Sequence, residues 1–502
     1  MPLSRQSNFN VARSPRVATS FAMSLKRFAL ICFALACFSL TTQGASRPNF
    51  VFFLADDISW NDLGCYGHPT LKTPQIDDLA EGGLRFNNAY LTISSCSPSR
   101  CSIITGRYPH NTGAPELHTS LPAGQPLFPK LLKDTGYYTI LSGKHHMGKN
   151  ADPAFSKISK GKGPGKEADW VELLESRPKD KPFFAWYASS DAHRDWSINK
   201  DAPHYDPADV IIPPYFYDGE KTREDLTGYY HEVSRFDHFI GKVTNELRRQ
   251  GILDDTVIIV MADNGRPLPR CKTRLYDSGI KTPFIVHYPA LVKPGVTDSI
   301  ISSIDVSATV LELAKVDKGK RIQGISFTPV LRDPKAVTRN VAFAEHNWHV
   351  YKNHERMVRF GPWLYIKNNF TNQQNLCVEA YKGGAGEDLW AMHASGNLDE
   401  HQSKLFLNPC PAEELYDVRK DPEQLNNLAD DPARKSDLKK LRSLLAKWTK
   451  QTGDTIPEKP SVDRDAPPNQ PQLNKKKWRH GEMPGAAAGA QKIHHPGPVV
   501  VD

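Results

Sequence analysis

Five short apolar runs, 49–55, 138–142, 183–189, 256–262 and 283–288, alternate with stretches whose apolar residues recur at helical spacing. This alternation limits the fold more than any other feature of the chain. Runs of that length, rich in Val, Ile, Phe and Tyr, predict strands buried on both faces. The stretches 75–81, 98–105, 127–135, 223–249 and 303–313 predict helices. Together they predict an α/β domain with a mostly parallel sheet flanked by helices.

Four of the runs lead into reactive side chains. The first is followed by Asp56-Asp57, the second by Lys144, His145 and His146, the third by Asp191 and His193, and the fourth by Asp263-Asn264. In a parallel sheet ligands bind beyond the carboxyl ends of the strands, so these residues are expected on one polar edge. Asp56, Asp57, Asp263 and the Asn264 carbonyl offer only oxygen, which suits calcium, or magnesium, rather than zinc. Crowded carboxylates repel one another without a cation. One such Asp alone reads as a solvated strand end; a pair on each of two strands points to a metal. Residues two apart in an extended segment share a face, so Lys144 and His146 can both enter the pocket while His145 turns away. Lys272, taken alone, reads as a solvated loop lysine.

The remainder of the chain sets boundaries. Lys26 and Arg27 precede an apolar run, 28–40, and small residues lead up to Ala45, the pattern of an export signal. That run is too short for a comfortable membrane span, and no span is expected in the mature chain. The predicted location is periplasmic or secreted. The net charge of +8 is concentrated at the ends. Residues 1–45 carry five basic and no acidic residues, and residues 461–502 carry six and four; removing them from 64 basic and 56 acidic leaves 53 against 52. Anion recognition must therefore be local, and nothing suggests nucleic acid. Near residue 335 the pattern changes to antiparallel strands over 341–367 with a turn at Gly361-Pro362, followed by a helix over 432–452. Beyond Pro457 apolar periodicity is lost, which predicts disorder. The expected parts are 1–45 (extension and signal), 46–335 (main α/β domain), 336–455 (smaller α+β domain with an antiparallel sheet) and 456–502 (tail). Cys377 and Cys410 could pair, but connectivity is not legible from sequence.

The segment Ser95-Cys96-Ser97-Pro98-Ser99-Arg100, followed by an apolar turn and Thr105-Gly106-Arg107, resembles the signature of type I sulfatases. Without that resemblance Cys96 reads as a buried free cysteine. The resemblance spans roughly 47–455 and implies an alkaline-phosphatase-like fold. It also implies that a formylglycine-generating enzyme converts Cys96 to formylglycine (3-oxoalanine). One hydroxyl of the hydrated aldehyde would attack sulfur, and deprotonation of the other would release sulfate. By the same resemblance Asp56, Asp57, Asp263 and Asn264 are the calcium ligands, joined by the diol made from Cys96. Arg100 and Lys144 hold the formylglycine oxygen, and Lys144 and Lys272 clamp the sulfate. His146 assists collapse of the sulfated adduct, His193 protonates the leaving group, and Asp263 takes the proton of the attacking hydroxyl.

Within the family the pattern is most similar to heparan N-sulfatases, through Ser94–Arg100, Gly143-Lys144-His145-His146, Asp191-Ala192-His193-Arg194 and the short path from Asp263-Asn264-Gly265 to Lys272. One departure is Lys272, where that subgroup has arginine. The expected activity is removal of sulfate from a sulfated oligo- or polysaccharide, with N-sulfoglucosamine of heparan-type chains as one candidate. The alternatives are an O-sulfatase acting on algal or other polysaccharide, a phosphate- or phosphonate-ester hydrolase of the same superfamily, and an unmatured glycan-binding pseudoenzyme. His118, Arg194, Glu345 and His346 are candidate sugar contacts, each equally readable as an ordinary surface or cap residue.

Overall fold

Strand β1 (Asn49–Ala55) runs through the middle of an eight-stranded sheet. The computed structural model describes residues 47–502 apart from 378, 380, 382, 467–469, 472 and 474. The expected signal, including its apolar run, lies outside the described residues. The other strands are β2 (Leu84–Tyr90), β3 (Tyr138–Gly143), β4 (Lys157–Ser159), β5 (Phe183–Ala188), β6 (Thr256–Ala262), β7 (Phe284–His287) and β8 (Gly295–Ser302), in the order β4-β3-β5-β1-β6-β7-β2-β8. β1 pairs in parallel with β5 and β6. Only β7 is reversed, running antiparallel to both β6 and β2.

The alternation along β1 shows why the sheet is covered on both faces. Phe50, Phe52 and Leu54 pack on one side with Ile103 and Ile104 of helix α1 (Cys96–Thr105), Phe128 and Leu132 of α2 (Phe128–Asp134), and Val306 and Val310 of α4 (Asp305–Leu313). Val51, Phe53 and Ala55 pack on the other with the long helix α3 (Glu220–Arg249). Leu226, Tyr229, Val233, Phe236, Ile240, Val243 and Leu247 of α3 recur three or four apart, giving one continuous apolar stripe towards the sheet.

A second, antiparallel sheet has the order β12-β11-β10-β9, from β9 (Val341–His346), β10 (Glu355–Phe360), β11 (Trp363–Asn368) and β12 (Glu413–Asp417). Gly361, at φ +59°, makes the tight turn between β10 and β11. Helix α5 (Lys435–Thr452) lays Leu438, Leu441, Leu445 and Trp448 on this sheet, and Trp448 stacks on Phe343 with ring centroids 5.2 Å apart.

The five strands expected from apolar runs are present within two residues of their predicted ends. β2, β4 and β8 were not anticipated. β2 interleaves Arg85, Asn87 and Asn88 with its apolar residues, and β4 is a three-residue edge strand. The described residues after Pro457 also depart from expectation, because they lie against the body instead of being disordered. Arg107 donates to the carbonyls of Gln491 and Ile493 at 3.0 and 2.9 Å, and Asn111 Nδ2 donates to the Ala490 carbonyl at 2.8 Å. Such a segment is held by polar contacts supplied by the body, so its own sequence shows no apolar period. Cys410 is a free thiol, so it is not bonded to Cys377. Among the described residues no helix is long and apolar enough to cross a membrane.

Candidate active site

The carboxyl ends of β1, β3, β5 and β6 bring the expected residues together. Asp56 and Asp57 follow β1, and Asp263 and Asn264 follow β6; all four are fully buried. The register that aligns Ala55 with Ala262 sets the two pairs side by side. Lys144 follows β3, where Gly143 adopts φ +95°; a Cβ at 143 would lie 1.9 Å from the Ala188 carbonyl oxygen, so only glycine lets the chain turn here. Asp57, His118, His146 and Thr273 are non-glycine residues with positive φ, between 55° and 73°. Such conformations cost about 1 kcal/mol or more each and gather where the surroundings enforce them.

Cys96 is the first residue of α1 and is 3 % exposed. The preceding Ser95 does not cap the helix; its Oγ is 2.7 Å from His349 Nδ1. At the other end of α1, Gly106 sits at φ +63° with Ser307 Oγ 2.1 Å from where a Cβ would be. The glycine of the Thr105-Gly106-Arg107 motif is therefore required by packing, and Arg107 serves the fold through the carbonyls it holds. Burial pushes the Cys96 thiol up to about 12, against the lowering effect of Lys144 and Lys272, so an unmodified thiol here is a poor nucleophile at neutral pH.

Ligand atoms of Asp56, Asp57 and Cys96 lie within 4.8 Å of one another. Cations surround them. Lys144 Nζ donates to Asp56 Oδ2, and Lys272 Nζ lies 2.7 Å from Asp57 Oδ2. Arg100 lies between two acids, with Nε 2.6 Å from Asp263 Oδ2 and Nη2 4.0 Å from Asp56 Oδ1. Lys272 is 1 % exposed, not the solvated loop lysine that its sequence context alone suggests. Burial raises Asp57 and Asp263 to about 7. Burial acts the same way on Asp56, but Lys144, His193, Arg100 and Lys272 together hold it well below the carboxylate range. Asp56 Oδ1 and Asn264 Oδ1 are buried without a hydrogen-bond partner. Two orphaned oxygens beside two carboxyls raised by burial form a donor set that fits a hard divalent cation.

Three histidines flank this core. His146 Nε2 is 2.9 Å from His118 Nδ1, while His146 Nδ1 is buried and unpartnered. Burial, then Lys144 and Arg100, hold the His146 imidazole down at about 2, so it is neutral. His193 is exposed and its Nδ1 is 2.5 Å from the Arg194 carbonyl oxygen. The Lys272 charge, then burial, bring it down to about 4. His145 turns away and lies 2.9 Å from Asp152 Oδ1, although the positive φ of Gly143 and His146 means that the segment is not the extended one expected.

Of the candidate sugar contacts, His118 reaches the site through His146. Arg194 binds Asp225 through both terminal nitrogens at 2.5 Å and packs on Trp196. Glu345 is buried against His110 at 2.6 Å, and His346 against Glu355 at 2.7 Å. Inside the second sheet both are committed to protein partners and unavailable to a sugar. Two residues at the site carry no local sequence signal: His349, beside Ser95, and Glu379, whose Oε1 is 3.9 Å from Lys272 Nζ.

Comparison with known proteins gives consistent results. The Sulfatase family profile matches residues 48–163 and 168–316, and the profile "N-sulphoglucosamine sulphohydrolase, C-terminal" matches 271–362. The chain is 27 % identical over 479 residues to an ulvan-active sulfatase of Formosa agariphila, covering 83 % of this chain and 78 % of that one. It is 29 % identical over 463 residues to human N-sulphoglucosamine sulphohydrolase, covering 82 % and 91 %. A solved structure bound to its substrate D-glucosamine-2-N,6-O-disulfate superposes with a TM-score of 0.63 at 22 % identity, covering 81 % of this chain and 98 % of that one.

Proposed function

Since this chain belongs to the sulfatase family and is thus a hydrolase of sulfate esters or sulfamates, we propose that it removes sulfate from a sulfated glycan at the site around Cys96. The observation that carries this reading is the approach of Asp56, Asp57 and Cys96 to within 4.8 Å, ringed by Lys144, Lys272 and Arg100.

Asp56, Asp57, Asp263 and Asn264 would hold a divalent cation, calcium by their all-oxygen chemistry, with residue 96 beside it. A cation held there supplies fixed positive charge to sulfate oxygens and to the nucleophile. Formylglycine at 96, made by a formylglycine-generating enzyme, supplies as its hydrate one hydroxyl to attack sulfur and a second that lets sulfate leave.

The remaining chemistry falls to the chain's own side chains. Lys144 and Lys272 orient the sulfate and balance the charge that grows on its outer oxygens; their burial makes that charge count for more than it would in water. Arg100 holds Asp263 and the residue-96 oxygen in register. Asp263, buried and held by Arg100, accepts the proton of the attacking hydroxyl. His193 protonates the departing oxygen or nitrogen. The nearby Lys272 charge lowers its imidazole, and a bound sulfate offsets that charge and raises it again. His146 offers its unpartnered Nδ1 as acceptor when sulfate is released.

Two observations bear on the sugar. The match of 271–362 to the N-sulphoglucosamine sulphohydrolase C-terminal profile supports an N-sulfated glucosamine. Similarity to an ulvan-active sulfatase supports an O-sulfated algal polysaccharide. The signal-like N-terminus supports export to where such polymers occur. In this reading 46–335 is the catalytic part and 336–455 its smaller companion. The test is to incubate matured protein with N-sulfated glucosamine, O-sulfated glucosamine and ulvan oligosaccharides and to quantify released sulfate. Release from at least one is expected; release from none overturns the reading.

A further inference from the structure

Arg464 belongs to the segment that the sequence reads as a disordered tail, yet it is fixed next to the loop carrying His118. Its backbone N–H donates to the Val350 carbonyl at 2.8 Å, and its guanidinium lies over the Trp348 ring, 5.5 Å from the centroid. Trp348 is itself clamped. It stacks on Trp478 at 4.3 Å, and the indole N–H groups of both tryptophans donate to the Val462 carbonyl, at 2.9 and 2.7 Å.

The same frame grips the His118 loop. Ser461 Oγ donates to Glu116 Oε2 at 2.6 Å, His480 Nδ1 is 2.7 Å from that oxygen, and the Leu117 N–H donates to the Trp348 carbonyl at 3.3 Å. The His118 N–H then donates to Ser97 Oγ at 2.8 Å, one residue beyond Cys96. Arg464, bonded to Val350, and Leu117, bonded to Trp348, thus hang on one short stretch of backbone, and after burial the Arg464 charge is the next influence lowering the His118 imidazole.

Arg464 differs from the other arginines near the site in being uncommitted. Arg100 and Arg194 are bonded to carboxylates. Among the described residues the Arg464 side chain donates no hydrogen bond. The nearest acid, Asp465, is 4.0 Å away and is paired with Lys475 at 2.7 Å. A partly exposed guanidinium, pre-oriented on an indole face and, among the described residues, faced by an acid no closer than Asp465 at 4.0 Å, is equipped to bind a planar or tetrahedral oxyanion through paired N–H groups.

We propose that Arg464, backed by Trp348, forms a subsite for a second oxyanion of the glycan, a carboxylate or sulfate on the sugar adjoining the one that loses its sulfate. This rests on the sulfated-glycan reading above. It makes the C-terminal segment a determinant of specificity that lies apart from the sulfate pocket itself.

The experiment uses matured full-length protein and three disaccharides that share one sulfated glucosamine, with a neutral, a uronate or an O-sulfated neighbour. Wild type should show a lower KM for one or both anionic neighbours, by about tenfold. Arg464→Ala should erase that preference, and Arg464→Lys should keep part of it. Which anionic substrate is preferred tells carboxylate from sulfate. A preference that survives Arg464→Ala, or no preference in wild type, overturns the subsite while leaving the sulfatase reading intact. An equal loss on a small aryl sulfate in Arg464→Ala also overturns it, because the residue would then act through the fold. Wild type that frees sulfate from none of the three sinks the glycan reading and the subsite together.

Discussion

Arg100 Nε lies 2.6 Å from Asp263 Oδ2, and both side chains are completely buried. This contact ties the motif after Cys96 to the end of β6, which is 163 residues further along the chain. It is what makes the nucleophile position and the acid cluster one site.

Removing one partner of a buried ion pair leaves the other charged and unpaired, at a cost of about 3–5 kcal/mol. Arg100→Ala is therefore expected to lower unfolding free energy in urea by that order, besides abolishing turnover. A variant as stable as wild type would mean that the pair does not anchor the site.

The acids at the site make cation binding and stability depend on pH. Asp57 and Asp263 move from 3.8 to about 7 through burial. Their folded values exceed their unfolded ones, so without a cation they favour the fold at low pH, and that contribution is lost as pH rises towards about 7. A bound cation replaces the protons and removes the loss. The difference in Tm between calcium-loaded and chelator-treated protein should therefore widen from about pH 5 to about pH 8. A constant difference, or one that narrows, contradicts the assigned ligands.

Much of this site was legible before the structure, for a simple reason. Strands buried on both faces write uninterrupted apolar runs, and the reactive residues stand directly after them. Asp56, Lys144, His193 and Asp263 could be placed on one edge from this pattern alone. β2 and β8 were not legible, because polar residues interrupt their apolar ones. His349, Glu379 and Arg464 were not legible either. They reach the site through long-range packing of the C-terminal part, which no local period encodes.

The ordered C-terminal segment should contribute to stability. Ending the chain after residue 483 would deprive Arg107, already 0 % exposed, of the Gln491 and Ile493 carbonyls. Each hydrogen bond from a charged group contributes about 1.5–3 kcal/mol. The truncated protein should melt several degrees lower in calorimetry; an unchanged Tm would show that the segment is only draped on the surface.

If His193 protonates the leaving group, its loss should depend on what leaves. Glycan sulfates have basic leaving groups and need the proton, whereas nitrophenyl sulfates do not. His193→Ala is expected to slow glycan desulfation by about 10²-fold or more and aryl sulfate turnover much less. Equal losses on both substrates would remove His193 from that role.

The central claim is that residue 96 acts as a carbonyl hydrate and not as a thiol. The direct measurement is peptide mass spectrometry across residue 96 on a series of preparations matured to different extents, each assayed for sulfate release. The account predicts that turnover per protein molecule rises in proportion to the aldehyde fraction and vanishes when only cysteine is found. Full turnover in a preparation where residue 96 is entirely unmodified cysteine would contradict it.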